Sequence, residues 1–292
     1  MENIRIGTMI DAVDAPKIIP QIQDYGFECF SLVFQETEGV DMKDLASRVK
    51  DAIGDRDIVI STVTTFGNPL KEEKDIKTWE RLIDNAPLFG TNIVSGWAGR
   101  IPNVPVPESI PKFKEVFTPL AQRAQDKGEL IAFENCDMDG TWFYGDFNIA
   151  FCVRAWELMF DAVPYDNLGL EWEPCHQLYN LVDPIRQLRK WAKKIYHLHG
   201  KDATVDYDLL AEVGRDGCDP GEYAKHRTPG FGDSNWTDII SILRMNGYKG
   251  TIDIEGFHDP AYSGEWEMTG QVYALNYLKQ CRGGDFVPNY VR

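Results

Sequence analysis

Four segments in the second half of the chain end in side chains able to hold a cation or move a proton. They are FEN with Glu134, EWEPCH with Glu173 and His176, HLHGKD with His199, and DIEG with Glu255. Three carboxylates drawn together out of water repel one another unless a positive charge absorbs them. A divalent metal is the natural partner. A set of three carboxylates and one imidazole is hard and oxygen-rich, which suits one Mn, Mg or Co ion and also admits Zn or Fe(II). Side chains alternate along a strand, so if Glu134, Glu173, His199 and Glu255 face one interior, then Ala132, Glu171, His197 and Asp253 face it one layer below. Glu171, His197 and Asp253 could orient the ligands from behind, or could simply satisfy one another.

Such a convergence requires neighbouring strands that all end on the same side. Eight β-rich runs are available: Ile4–Met9, Cys29–Phe34, Ile58–Thr64, Asn92–Trp97, Leu130–Glu134, Leu168–Glu173, Ile195–His199 and Thr251–Glu255. Each precedes a helical stretch, at Ala15–Tyr25, Met42–Ile53, Ile76–Leu88, Pro111–Asp126, Ile149–Phe160, Pro184–Trp191, Asp238–Met245 and Gln271–Lys279. Strict β/α alternation implies a parallel sheet, and eight units imply closure into a (β/α)8 TIM barrel occupying residues 1–292 as one domain. Connections from helix to strand are short and carry Gly26, Gly90, Gly128 and Gly247. Those from strand to helix are long: GRIPNVPVPESIP, CDMDGTWFYGDFN, and a longer segment ending in PGFGDSNW. Long loops on the C-terminal face mark the working end of a barrel.

The charge balance narrows the partners. With 46 acidic against 30 basic residues in 292, the formal net charge is −16, which opposes binding to nucleic acid or an anionic membrane. The start of the chain lacks a basic stretch followed by an apolar run, and no uncharged stretch is long enough to span a bilayer. The six cysteines are scattered without a C-x-x-C pair, as expected of reduced thiols in a cytoplasmic protein.

The same residues carry a resemblance. From FENCDM through NIAFCVRAWELMFDAVPYDNLGLEWEPCHQL, then IYHLHGKDA, RTPGFGD and GYKGTIDIEGFHDP, the chain resembles the sugar phosphate isomerase/epimerase family of xylose isomerase-like barrels, which includes ketose 3-epimerases. The resemblance implies that Glu134, Glu173, His199 and Glu255 bind one divalent metal and that His176 and Arg227 contact substrate. Two positions depart from the family pattern: Glu173 stands where Asp is usual, and Cys175 where Ser is usual.

Together these readings imply a metal-dependent isomerase or epimerase acting on a keto sugar. Glu134 and Glu255 would transfer a proton next to a metal-bound carbonyl through an enediolate. A lyase or dehydratase acting on a 3-keto-glycoside or inosose would use the same carbanion. Lys201, with Asp202, could bond substrate hydroxyls or pair locally. Trp142, Phe143, Tyr144 and Phe147 could wall a sugar ring or pack beneath their loop. No Walker-type phosphate loop occurs, which favours a neutral sugar or cyclitol substrate. An apurinic-endonuclease reading conflicts with five histidines and an acidic chain, and a sugar-binding barrel without catalysis rests only on the Glu173 departure. Barrels of this kind often pair, so a homo-oligomer is open.

Overall fold

Runs such as CFSLVF and VISTVTT are almost entirely buried, as parallel strands covered on both faces must be. In a computed structural model, which describes residues 3–256 and 258–290, the strands are β1 Arg5–Asp11, β2 Cys29–Phe34, β3 Val59–Thr65, β4 Ile93–Gly96, β5 Leu130–Glu134, β6 Leu168–Trp172, β7 Ile195–Gly200, β8 Asp202–Val205, β9 Ala224–Arg227 and β10 Thr251–Ile254. Strands β1 to β7 and β10 close a parallel barrel in sequence order, with β10 pairing both β7 and β1. All eight expected strands are present. Phe257, within one of the quoted motifs, and residues 1, 2, 291 and 292 lie outside the described residues.

Strands β8 and β9 were not expected. They form an antiparallel ribbon, with Asp202 opposite Arg227, inside the long segment after β7. The helices are α1 Ala15–Ile22, α2 Met42–Ile53, α3 Glu73–Asn85, α4 Val106–Gln125, α5 Val153–Ala162, α6 Pro174–Tyr179, α7 Pro184–Trp191, α8 Tyr207–Val213, α9 Pro220–Tyr223, α10 Trp236–Met245 and α11 Glu267–Cys281. On α2 the buried positions Met42, Leu45, Ala46 and Val49 make one stripe, and Asp41 caps its start by accepting from the Lys43 and Asp44 amides.

Five helices, α3, α4, α5, α10 and α11, begin two to five residues from their expected positions, and two of these shifts have a clear local cause. Helix α4 starts at Val106 rather than Pro111, because Pro107 occupies its first turn, where the missing N–H costs nothing. Helix α5 starts at Val153 rather than Ile149, because Cys152 is extended (φ −146°, ψ 159°) and the Ala150 amide bonds the Asn148 side chain. The four connecting glycines adopt positive φ, +96° at Gly26 and +73° at Gly128 for example, which turns each helix end sharply into its next strand.

Candidate active site

Glu134 is the last residue of β5, His199 lies on β7, and Glu173 and Glu255 immediately follow β6 and β10. Although β6 ends at Trp172, the backbone at Glu173 stays extended (φ −143°, ψ 145°), so the alternation from Glu171 carries through to it. A reciprocal pair locks this corner. The Asn135 amide donates to the Glu173 carbonyl at 2.9 Å, and the Glu173 N–H donates to Asn135 Oδ1 at 2.7 Å. Asn148 braces the next loop, donating to the carbonyls of Glu134 and Cys136.

One ligand atom from each of Glu134, Glu173, His199 and Glu255 lies within 4.8 Å of the other three, and all four side chains are buried. His199 Nδ1 is 3.1 Å from Glu134 Oε1 and 3.4 Å from Glu255 Oε2. Behind it, His199 Nε2 lies 3.2 Å from Glu171 Oε1. That same oxygen is 2.7 Å from His197 Nδ1, and His197 Nε2 is 2.6 Å from Asp253 Oδ2. Glu171, His197 and Asp253 therefore form a buried chain ending on the back of His199, with Cys29 Sγ donating to Asp253 at its far end.

Several acceptors in this cluster lack an aligned donor: both Glu173 oxygens, Glu255 Oε2 and Glu171 Oε2. Glu173 Oε1 lies 2.7 Å from His176 Nε2, but not in hydrogen-bonding alignment. Lys201, itself buried, donates to Glu255 Oε1 at 2.7 Å. With the imidazoles neutral, as metal ligation requires, the carboxylates of Glu134, Glu173 and Glu255 leave two negative charges beyond the one met by the Lys201 ammonium. A dication matches that deficit, so the donor set fits a divalent metal in both charge and chemistry.

The titration directions follow from this crowding. Burial pushes Glu134 up, against the opposing pull of His199. Burial also acts on Glu255, but Lys201 and His199 outweigh it and hold that carboxyl well below its usual range. Glu173 is likewise held low by Lys201 and His176 against burial, and Glu171 is brought down to about 2 by His199 and His197. For His199, burial is outweighed by Glu171 and Glu134, which push its pKa well up.

Other expected residues fall in different places. Trp142 packs partly buried against the core, with the Arg154 guanidinium 4.2 Å from its ring. Asp202 is wholly used inside the protein, accepting from the Ala203 and Ser234 amides and Trp236 Nε1. Arg227 bonds Asp259 at 3.1 Å and reaches over Phe231. His226 stands with its ring centroid 5.4 Å from that of His176, and His258 is 5.5 Å beyond it.

The aromatic wall beside Glu134 combines Phe147, one of the rings named as a possible sugar wall, with Trp97 and Phe66, which the sequence did not single out. Trp97 Nε1 donates to Glu134 Oε2, and the ring of Trp97 is flanked by Phe66 at 5.4 Å and Phe147 at 6.1 Å. These rings border a cavity of about 660 Å³ whose polar lining includes Asn68, Lys71, Asp75 and Asp146. A Trp ending a strand at the mouth of the barrel was the one available signal. Arg100, fully buried, ties the loops after β4 and β5 together by donating to the carbonyls of Thr141 and Val104.

Among known proteins, a family model described as a xylose isomerase-like TIM barrel matches residues 19–281. The inosose dehydratase of Clostridium beijerinckii is 32% identical over 170 residues, 56% of this chain and 52% of that protein. The chain spans about half or less of the length of the curated relatives it matches. A solved L-ribulose 3-epimerase superposes with a TM-score of 0.70 over 96% of both chains at 15% identity. A xylose isomerase-like TIM barrel protein from Mycobacterium smegmatis, in complex with magnesium, gives 0.69 over 97% of both at 17%. At these identities the two structures show a shared fold.

Proposed function

The chain belongs to the xylose isomerase-like TIM barrel family, and from that premise we propose that it is a divalent-metal-dependent isomerase or epimerase of a neutral keto sugar. The observation that carries this reading is the buried convergence of Glu134, Glu173, His199 and Glu255, with carboxylate oxygens left unpartnered and two negative charges uncompensated. A divalent cation held by these four residues would supply a Lewis acid that polarises the substrate carbonyl and makes the adjacent C–H more acidic.

Proton transfer falls to the two glutamates. Glu134 is anchored through one oxygen by Trp97 and Glu255 through one oxygen by Lys201, so in each case one oxygen is fixed while the other faces the cluster. One carboxylate removes the proton from the carbon next to the carbonyl, and the other, entering protonated, returns a proton to the opposite face, giving the epimer. Transfer on one face between neighbouring carbons gives the isomer instead. The Trp97, Phe66 and Phe147 rings supply an apolar face for the sugar ring and exclude water, while the polar groups of the 660 Å³ cavity bond its hydroxyls. Among the described residues no helix is long and apolar enough to cross a membrane.

A second reading, a dehydratase, is supported by the likeness to inosose dehydratase: on this chain the same proton removal would be followed by loss of a β-hydroxyl from the substrate. Metal-loaded protein incubated with free keto sugars and inososes in D2O separates the two. Deuterium next to the carbonyl together with a new epimer or isomer supports the first, and release of water with an unsaturated product supports the second. Metal-free protein that remains fully active in chelator would overturn both.

A further inference from the structure

Next to the carboxylate cluster is a group of a different character. Helix α6 starts at Pro174, which puts Cys175 and His176 in its first turn, and the β8–β9 ribbon folds back over this helix, carrying His226 toward His176. The Tyr223 hydroxyl donates to the Tyr179 carbonyl and fastens the ribbon to the helix. One ligand atom from each of Cys175, His176 and His226 lies within 4.8 Å of the other two. His176 is 3% exposed, and neither of its ring nitrogens has an aligned hydrogen-bond partner.

We propose that Cys175, His176 and His226 form a second cation site, selective for a soft, thiolate-binding dication such as Zn2+ or Cd2+ rather than the hard ion suited to the carboxylates. One sulfur and two imidazole nitrogens are the donors such ions prefer, and three protein ligands leave a fourth position open. Charge supports the pairing. The thiolate formed when the ion displaces the Cys175 proton to solvent, together with Asp137, whose Oδ1 lies 3.9 Å from His176 Nδ1, offsets a dication. No excess charge is then imposed on the neighbouring glutamates. Because His176 Nε2 lies 2.7 Å from Glu173 Oε1, an ion held there adjoins the carboxylate cluster and competes with sugar, and the site acts as a soft-metal inhibitory switch. This last step alone rests on the function proposed above.

A neighbouring triad of Cys136, Asp137 and His176 shares one ligand, so the test must separate the two thiols. Protein saturated with Mg2+ is titrated with Cd2+ and followed by the ultraviolet charge-transfer band of cadmium bound to thiolate. The carboxylate cluster has no sulfur and gives no such band, so the result is independent of whether the proposed reaction is correct. The expected result is a saturable band from one Cd2+ per chain, retained in Cys136→Ser, lost in Cys175→Ser, and requiring roughly tenfold or more Cd2+ in His226→Gln. Cadmium-113 NMR of the unsubstituted protein should report one sulfur and two nitrogen ligands, which keeps the test decisive if Cys175→Ser does not fold. Absence of the band, its persistence in Cys175→Ser, or its loss in Cys136→Ser would overturn the proposal.

Discussion

The two sides of the barrel lining solve the burial of polar groups differently. On β2, β3 and β4 the buried side chains Ser31, Thr62, Thr64 and Ser95 bond one another: Thr64 to Ser95 at 2.7 Å, Thr62 to Ser95 at 2.8 Å, and Ser31 to Thr64 at 3.2 Å. On β5, β6, β7 and β10 the lining is Glu134, Glu171, His197, His199 and Asp253, with Glu255 following at the rim. A hydroxyl both donates and accepts, so a cluster of hydroxyls can close on itself. An ionised carboxylate only accepts. Three of them facing a single ammonium need a donor or cation from outside, and that unmet need is confined to one side of the mouth. The hydroxyl side is scaffold, and the carboxylate side is where a ligand improves the protein's own energy.

The largest effect should come from the carboxylates proposed to move protons. Glu255→Gln or Glu134→Gln keeps shape and removes the base, so deuterium incorporation into a keto sugar should fall about 10²–10⁴-fold, the range for loss of a positioned acid or base. A variant retaining more than a tenth of the exchange rate would break the contrast between the two sides. Next comes the residue behind the cluster. Glu171→Gln removes the anion facing His199 Nε2 and His197 Nδ1, so metal affinity measured against a competing chelator should drop about 10–100-fold while the substrate cavity is unchanged. An unchanged affinity would reduce Glu171 to a packing role.

The carboxylate side was legible in the sequence because its parts lie at strand ends, where alternation fixes which way a side chain points. Glu134, Glu173, His199 and Glu255 could be grouped without knowing a single contact, and the extended backbone at Glu173 preserved the pattern even where β6 stopped short. What escaped were relations between distant segments. Nothing in GWAG says that Trp97 reaches Glu134, 37 residues on, and nothing in HGKDA says that Lys201 turns to Glu255 rather than outward. The β8–β9 ribbon was hidden because its strands are four residues long and separated by two short helices. Helix α6, six residues long, was too short for an apolar stripe to show.

A carboxylate outside the cluster tests whether burial alone produces a metal site. Glu129, just before β5, is 1% exposed with neither oxygen partnered, and burial pushes its pKa up to about 7. With no converging ligands, a proton rather than a cation neutralises it. Its folded pKa lies above the unfolded value of 4.5, so its stabilisation is present at low pH and is lost as pH rises from about 4.5 to about 7, after which the curve levels. Urea unfolding should show stability falling across that window by on the order of 1–3 kcal/mol, and Glu129→Gln should flatten that part of the profile. Unchanged pH dependence in the variant would show that another group sets it.

The smallest effect belongs to the hydroxyl side. Ser95 is the hub of that network, bonded to both Thr62 and Thr64, so its removal takes a partner from two buried groups. Those two threonine hydroxyls, however, already lie 3.4 Å apart and can turn to each other, and Thr64 keeps Ser31. Ser95→Ala should therefore cost only about 1 kcal/mol in urea unfolding, the low end for a lost buried hydrogen bond, and deuterium exchange into sugar should stay within about twofold of the unsubstituted rate. A hundredfold loss of exchange with stability intact would mean that the hydroxyls reach the reacting sugar, and the division between scaffold and site would have to be redrawn through β4.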